Sequence, residues 1–279
     1  IGYGEPPLWH PDVRFVMAEP EPTEVGRNRG AAVGIVGDVG AIVEQLLEAA
    51  GKRRWARRSG WLAGLEALRR ERDAERERLG ASDEVPIHPA RVAKEIREAF
   101  PRETVLCIDG GDFGHWVRMS LPALAPGRWL HHFPLGGLGA AVPSAIAARA
   151  VLPEAPVLAV AGDGAFGFTA MEFDTAVRHD LPFVCVVGND AAWGIDRQFQ
   201  IAYYGRPVGT DLRPVRYDRL VAELGGRGEH VADVGSLGPA LDRALASDRI
   251  ACVDVAIQRV RSPLADAMIA RRQARQQGL

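Results

Sequence analysis

The chain has 279 residues, with 34 Lys+Arg against 36 Asp+Glu, a formal net charge of -2. That balance, with 47% apolar residues, fits a globular protein handling small molecules and offers nucleic acid no basic surface. No uninterrupted apolar run is long enough to span a bilayer and no signal peptide opens the chain, so no membrane partner is expected and the cytoplasm is the default compartment.

Cys107, Cys185 and Cys252 each sit inside an apolar run, the pattern of buried, reduced thiols. Three cannot all pair within one chain and no C-x-x-C occurs, which argues against a disulfide framework or a zinc site.

From the N-terminus, Arg14–Ala18 and Ala32–Val36 read as short strands separated by a proline-containing loop. Asp38 is placed to cap a helix over Ala41–Ala50, where Ile42, Val43, Leu46 and Leu47 recur at helical spacing. Residues 52–83 are dense in interspersed Arg and Glu, which predicts a solvated helix or linker. The expected organisation is an α/β fragment over 1–50, a charged helical linker over 51–84 and one larger domain over 85–279.

That domain reads as repeated β and α elements. Strands are predicted at Thr104–Ile108, Pro156–Ala161, Pro182–Val187 and Ile250–Ala256, with a short edge strand at His230. Helices are predicted over Pro89–Phe100, Leu138–Ala150, Ala170–His179, Arg216–Leu224 and Leu237–Ala246. Apolar strands alternating with helices imply a doubly wound α/β fold: a mostly parallel sheet with helices on both faces and ligands beyond the strands' carboxyl ends.

The most informative segment is Gly162-Asp163-Gly164, followed after 24 residues by Asn189. Asp163 comes at the end of a buried strand, its flanking glycines permit close backbone approach, and a helix follows whose first amides can receive phosphate oxygens. Asn189 emerges from the next strand beside it. A carboxylate and an amide oxygen next to such amides suit magnesium, a hard cation that shares its octahedron with phosphate. A lone Gly-Asp-Gly could equally be a turn; the strand–helix–strand–Asn context favours the site.

This pattern resembles the cofactor motif of thiamine diphosphate enzymes. Within them, Ala165-Phe-Gly-Phe and Met171-Glu-Phe-Asp-Thr-Ala-Val-Arg are similar to the group containing acetolactate synthase, benzaldehyde lyase and oxalyl-CoA decarboxylase. The resemblance implies magnesium held by Asp163, Asn189 and the carbonyl of Ala191, and diphosphate held by amides of Gly164, Ala165 and Phe166. The family usually has a second Asn where Asp190 stands.

Gly136-Gly-Leu-Gly139 resembles the family's Gly-x-Met-Gly, which makes Leu138 the wedge beneath a bent cofactor, with its amide and the Gly136 carbonyl gripping the aminopyrimidine. In Asp109-Gly-Gly-Asp-Phe-Gly-His-Trp116 the resemblance implies diphosphate contacts from Gly111 and Asp112. The Asp112 carboxylate departs from the amide common in relatives, and is expected to turn away or pair with an arginine; His115 reads as structural. Trp193 is expected near the diphosphate and Ile195 and Phe199 in the substrate pocket, each weighed against packing within its own helix.

The resemblance spans nearly this whole chain but about half of the family's usual length. The pyrimidine-binding domain, which carries the activating glutamate, has no counterpart here, so no catalytic residue is assigned and the chain alone is expected to be inactive. In the full-length enzyme the resemblance implies a homodimer or tetramer. Its cofactors are thiamine diphosphate and Mg2+, with FAD as an optional addition, and its substrate is a 2-keto acid. Alternatives are a lyase of 2-hydroxy ketones or 2-hydroxyacyl-CoA, for which Arg197 and Arg206 could receive CoA, and a non-catalytic cofactor-binding module.

Overall fold

A computed structural model describes residues 9–123, 125–132 and 135–276; Ile1 lies outside them. The chain divides into two compact units, residues 1–66 and 67–279. In the first, β1 (Val16–Glu19) pairs in parallel with β2 (Val33–Val36), and α1 (Val39–Gly51) follows. Asp38 caps α1 by accepting from the Ala41 amide at 2.9 Å, and the helix starts at Val39, two residues before the predicted Ala41. The division falls within α2 (Ser59–Gly80), the expected charged helix, which carries ion pairs such as Arg78–Glu75 at 2.7 Å.

The second unit is a doubly wound α/β domain. Its elements run α3 (Pro89–Ala99), β3 (Val105–Ile108), α4 (Gly111–Ser120), β4 (Trp129–His131), α5 (Ala141–Val151), β5 (Val157–Gly162), α6 (Asp163–Thr169) and α7 (Glu172–Arg178). They continue with β6 (Val184–Asn189), α8 (Gly194–Tyr204), α9 (Tyr217–Glu223), β7 (Arg227–Val231), α10 (Val234–Leu245), β8 (Ala251–Ala256) and α11 (Pro263–Gln276). The six strands form one parallel sheet in the order β4-β3-β5-β6-β8-β7.

Alternation along the strands divides the core in two. Leu106, Ile108, Leu158, Val160, Val184 and Val186 face one side, packing with residues of α3, α4 and α10. Val105, Cys107, Ala159, Cys185, Val187 and Cys252 face the other, where α5, α7 and α9 cover them. All three cysteines therefore lie in one layer, fully buried and free.

Three elements depart from the sequence reading. Helix α5 begins at Ala141 rather than Leu138, so Pro143 falls in its first turn, where a missing amide hydrogen is tolerated. Helix α4 forms where a loop was read, and strand β4 was not among the predicted strands. The strand order reverses beside β3, with β4 on one side and β5 on the other, and this places a crevice at the carboxyl ends of β3 and β5.

Candidate active site

A cleft of about 500 Å3 opens at those strand ends. One wall begins at Asp109, immediately after β3. Its buried carboxylate accepts from the amides of Gly110 (2.9 Å), Gly139 (3.1 Å) and Ala141 (3.0 Å). It thereby caps α5 and fixes the loop ahead of it. Gly139 needs to be glycine: its φ is +80°, and a Cβ there would meet that of Phe168 at 2.7 Å. Leu138, 36% exposed, extends over Gly110, where a Cβ would meet its Cδ2 at 2.8 Å. Gly111, Asp112, Gly136 and Leu138 all line the cleft, as expected.

The floor comes from the ends of β5 and β6. Asp163 and Asp190 each follow their strand directly and both face the cleft. Asp163 is 2% exposed; its Oδ1 accepts from the Gly164 amide at 2.9 Å, and its buried Oδ2 has no partner. Burial, reinforced by the charge of Asp190, pushes its carboxyl up to about 7. Burial also pushes Asp190 up to about 6, with Arg259 opposing and Asp112 adding to the shift. Two facing carboxylates with an orphaned buried oxygen suit a hard divalent cation.

Asn189 and Ala191, expected as metal ligands, are not among the residues that line the cleft. The Asn189 amide donates to Val215 O at 2.9 Å and Asp254 Oδ1 at 3.0 Å, while its oxygen accepts from the Ala191 amide at 3.3 Å. Asn189 is still within β6 and shares the parity of Cys185 and Val187, so its side chain points toward α9 and not into the cleft. The Ala191 carbonyl accepts from the Leu212 amide at 2.8 Å and from Arg259 at 2.7 Å. The Asp190 carboxylate and the backbone at Ala192 line the cleft instead.

Gly164, Ala165 and Trp193 line the cleft. The Trp193 ring lies over Gly164, where a Cβ would meet it at 3.0 Å, and meets Phe168 edge-on at 5.5 Å. Phe166 does not line it: its side chain is fully buried against Phe173 and Tyr217. Ile195 reaches the cleft, but Phe199, one turn along α8, stacks on Tyr203 at 5.7 Å and is absent from the lining. Asp112 turns to Ser262, accepting from its hydroxyl at 2.7 Å and its amide at 3.2 Å, with the charge of Arg261 near enough to act on it. His115, read as structural, lines the cleft.

Asp218, His230 and Asp254 bring potential ligand atoms within 4.8 Å of one another. Arg216 holds Asp218 through two 2.7 Å bonds, and Asn189 and His230 hold Asp254. This cluster reads as internal bracing.

The fold and cleft define a doubly wound α/β domain with a ligand-sized crevice at its strand ends. Residues 109–255, more than half of the chain, match the family described as thiamine pyrophosphate enzyme, C-terminal TPP binding domain, and the chain belongs to that family. It is acetolactate synthase-like: over 229 residues it is 40% identical to the acetolactate synthase large subunit of Mycobacterium tuberculosis, covering 81% of this chain and 41% of the relative. It is 34% identical over 195 residues to human 2-hydroxyacyl-CoA lyase 2, covering 70% of this chain and 30% of the relative. With the sulfoacetaldehyde acetyltransferase of Alcaligenes xylosoxydans it shares 28% over 268 residues, 85% of this chain and 43% of the relative. The chain thus spans less than half the length of these relatives. Among the described residues no helix is long and apolar enough to cross a membrane.

Proposed function

We propose that this chain is the diphosphate- and magnesium-binding part of an acetolactate synthase-like enzyme that makes or breaks carbon–carbon bonds beside a carbonyl. The observation that carries this reading is the pair Asp163, buried with one oxygen unpartnered, and Asp190, half-buried at the end of the adjacent strand. Their carboxylates would hold the cation, with the Ala192 backbone as the neighbouring donor. Arg259 supports the loop, donating to the carbonyls of Asp190 at 2.6 Å and Ala191 at 2.7 Å. Diphosphate would rest on the backbone at Gly111–Asp112 and Gly164–Ala165, and the aminopyrimidine on Gly136 and Leu138.

When bound, thiamine diphosphate supplies the carbon nucleophile and the electron sink for chemistry next to a carbonyl. The chain's own groups fix the cofactor's tail, and Leu138 and Trp193 form apolar walls. The substrate would be a 2-keto acid, acting in a homo-oligomer of the longer chain, and we expect no turnover by this chain alone. A 2-hydroxyacyl-CoA lyase is the second reading, favoured by the 34% identity to that enzyme. Arg197 offers it little, because its guanidinium already pairs with Asp211 at 2.9 Å.

The test is calorimetric titration of thiamine diphosphate with magnesium into the chain and into Asp190→Ala. Binding by the parent with at least a tenfold loss in the variant supports the reading. Equal binding by both would refute the assignment of Asp190.

A further inference from the structure

Arg118 is the one arginine or lysine side chain lining the cleft among the described residues, against Asp112, Asp163, Asp190 and Asp196. It lies on α4 two turns beyond Gly111 and is half-buried. Its hydrogen-bond partners are two imidazoles. His131, at the end of β4, accepts from it through Nε2 at 2.6 Å, and His115, one turn back on α4, accepts through Nδ1. His131 donates from Nδ1 to the Ile108 carbonyl at 3.0 Å, which fixes the neutral tautomer and leaves Nε2 as an acceptor.

Neutral acceptors orient a guanidinium without compensating its charge. No carboxylate pairs with Arg118 among the described residues, and burial alone accounts for its lowered affinity for the proton. A partly desolvated cation kept without a counterion is unfavourable unless an anion arrives. A guanidinium is also the side chain best shaped for a two-point grip on a carboxylate. The remaining charged walls of the cleft are acidic and would repel an anionic substrate. An extended tie between α4 and β4 needs no arginine facing an open cleft.

We propose that Arg118, oriented by His115 and His131, binds the carboxylate of the small carbonyl substrate. The choice of a 2-keto acid rests on the reading in the preceding subsection; the anion site itself rests on the uncompensated guanidinium.

The experiment titrates pyruvate, the smallest 2-keto acid, into the full chain with magnesium, with and without thiamine diphosphate. Binding is followed through the imidazole NMR signals of His115 and His131. Parallel titrations use neutral pyruvamide and inorganic diphosphate. The expected result is saturable binding of pyruvate, at least tenfold weaker binding of pyruvamide, and at least a tenfold loss of pyruvate affinity in Arg118→Gln. Arg118→Lys should retain part of the affinity, and both variants should hold inorganic diphosphate within about twofold of the parent. The proposal is overturned if the parent does not bind pyruvate, or if Arg118→Gln, folded by circular dichroism, binds it unchanged. It is also overturned if the variant loses diphosphate instead, since Arg118 would then belong to the phosphate grip. Pyruvate binding through Arg118 in a chain that does not bind thiamine diphosphate would uphold this inference and sink the cofactor reading.

Discussion

Asn189 donates its side-chain amide to the fully buried Asp254 at 3.0 Å, and this contact turns Asn189 away from the cleft while its neighbour Asp190 faces in. The two adjacent residues therefore differ in placement: one braces the loop against β8, the other lines the cleft. Replacing Asn189 by Ala leaves a buried carboxylate short of a donor and should cost about 1.5–3 kcal/mol of stability. Magnesium affinity should fall less than in Asp190→Ala. Urea unfolding together with magnesium titration measures both effects, and a larger metal defect in Asn189→Ala would reverse the assignment.

The acidic pair makes the metal effect depend on pH. In the folded, metal-free chain Asp163 titrates near 7 and Asp190 near 6, both above the ordinary value of 3.8. From about pH 4 to about pH 7 the folded chain thus holds more protons than the unfolded one, and these groups lower stability as pH rises through that window. A cation replaces those protons, so the rise in melting temperature caused by magnesium should be larger near pH 8 than near pH 5. An equal rise at both would separate the metal effect from this pair.

Asp109 organises the opposite wall through three backbone amides. Asp109→Ala strands two of them in the loop before α5 and should destabilise the domain by about 2–4 kcal/mol, with weaker cofactor binding. Asp109→Asn, which keeps an acceptor oxygen, should recover part of the loss in chemical denaturation. No difference between Asn and Ala would show that the carboxylate's acceptor role is unimportant.

Gly188 on β6 faces the Phe113 ring, and a Cβ there would lie 2.3 Å from it. Gly188→Ala should therefore lower stability by about 1–3 kcal/mol through overpacking. A thermal melt unchanged from the parent would mean that α4 shifts freely against the sheet.

The three thiols give a further check. Burial pushes Cys107 up to about 12 and raises Cys185 and Cys252 further above the ordinary range. A thiol-specific reagent should label none of them in the native chain at neutral pH and all three after denaturation. Rapid native labelling would contradict the packing of that core layer.

Much of the fold was legible because the strands are short, apolar and β-branched. Val157-Leu-Ala-Val-Ala161 and Val184-Cys-Val-Val187 could belong only to a sheet covered on both faces. Helix α4 was not legible because it opens on Gly111 and carries another glycine at Gly114, where a Cβ would lie 2.3 Å from the Asp109 carbonyl.

Within the site, Asp163 was readable from the glycines around it. That Asp190 lines the cleft while Asn189 does not was missed although a signal was present. Cys185, Val187 and Asn189 share one parity, so a strand that runs through Asn189 must aim it at the sheet face and leave the next residue to turn into the crevice. The cluster of His115, Arg118 and His131 gave no local signal, because His131 lies on strand β4, thirteen residues from Arg118 on helix α4.

The most direct test of the central claim is one calorimetric series: thiamine diphosphate with magnesium titrated into the parent chain, Asp163→Ala, Asp190→Ala and Asn189→Ala at one pH. The account predicts binding by the parent, at least tenfold losses in both aspartate variants and a smaller loss in Asn189→Ala. A folded parent that takes up no cofactor, or aspartate variants that bind as tightly as the parent, would contradict it.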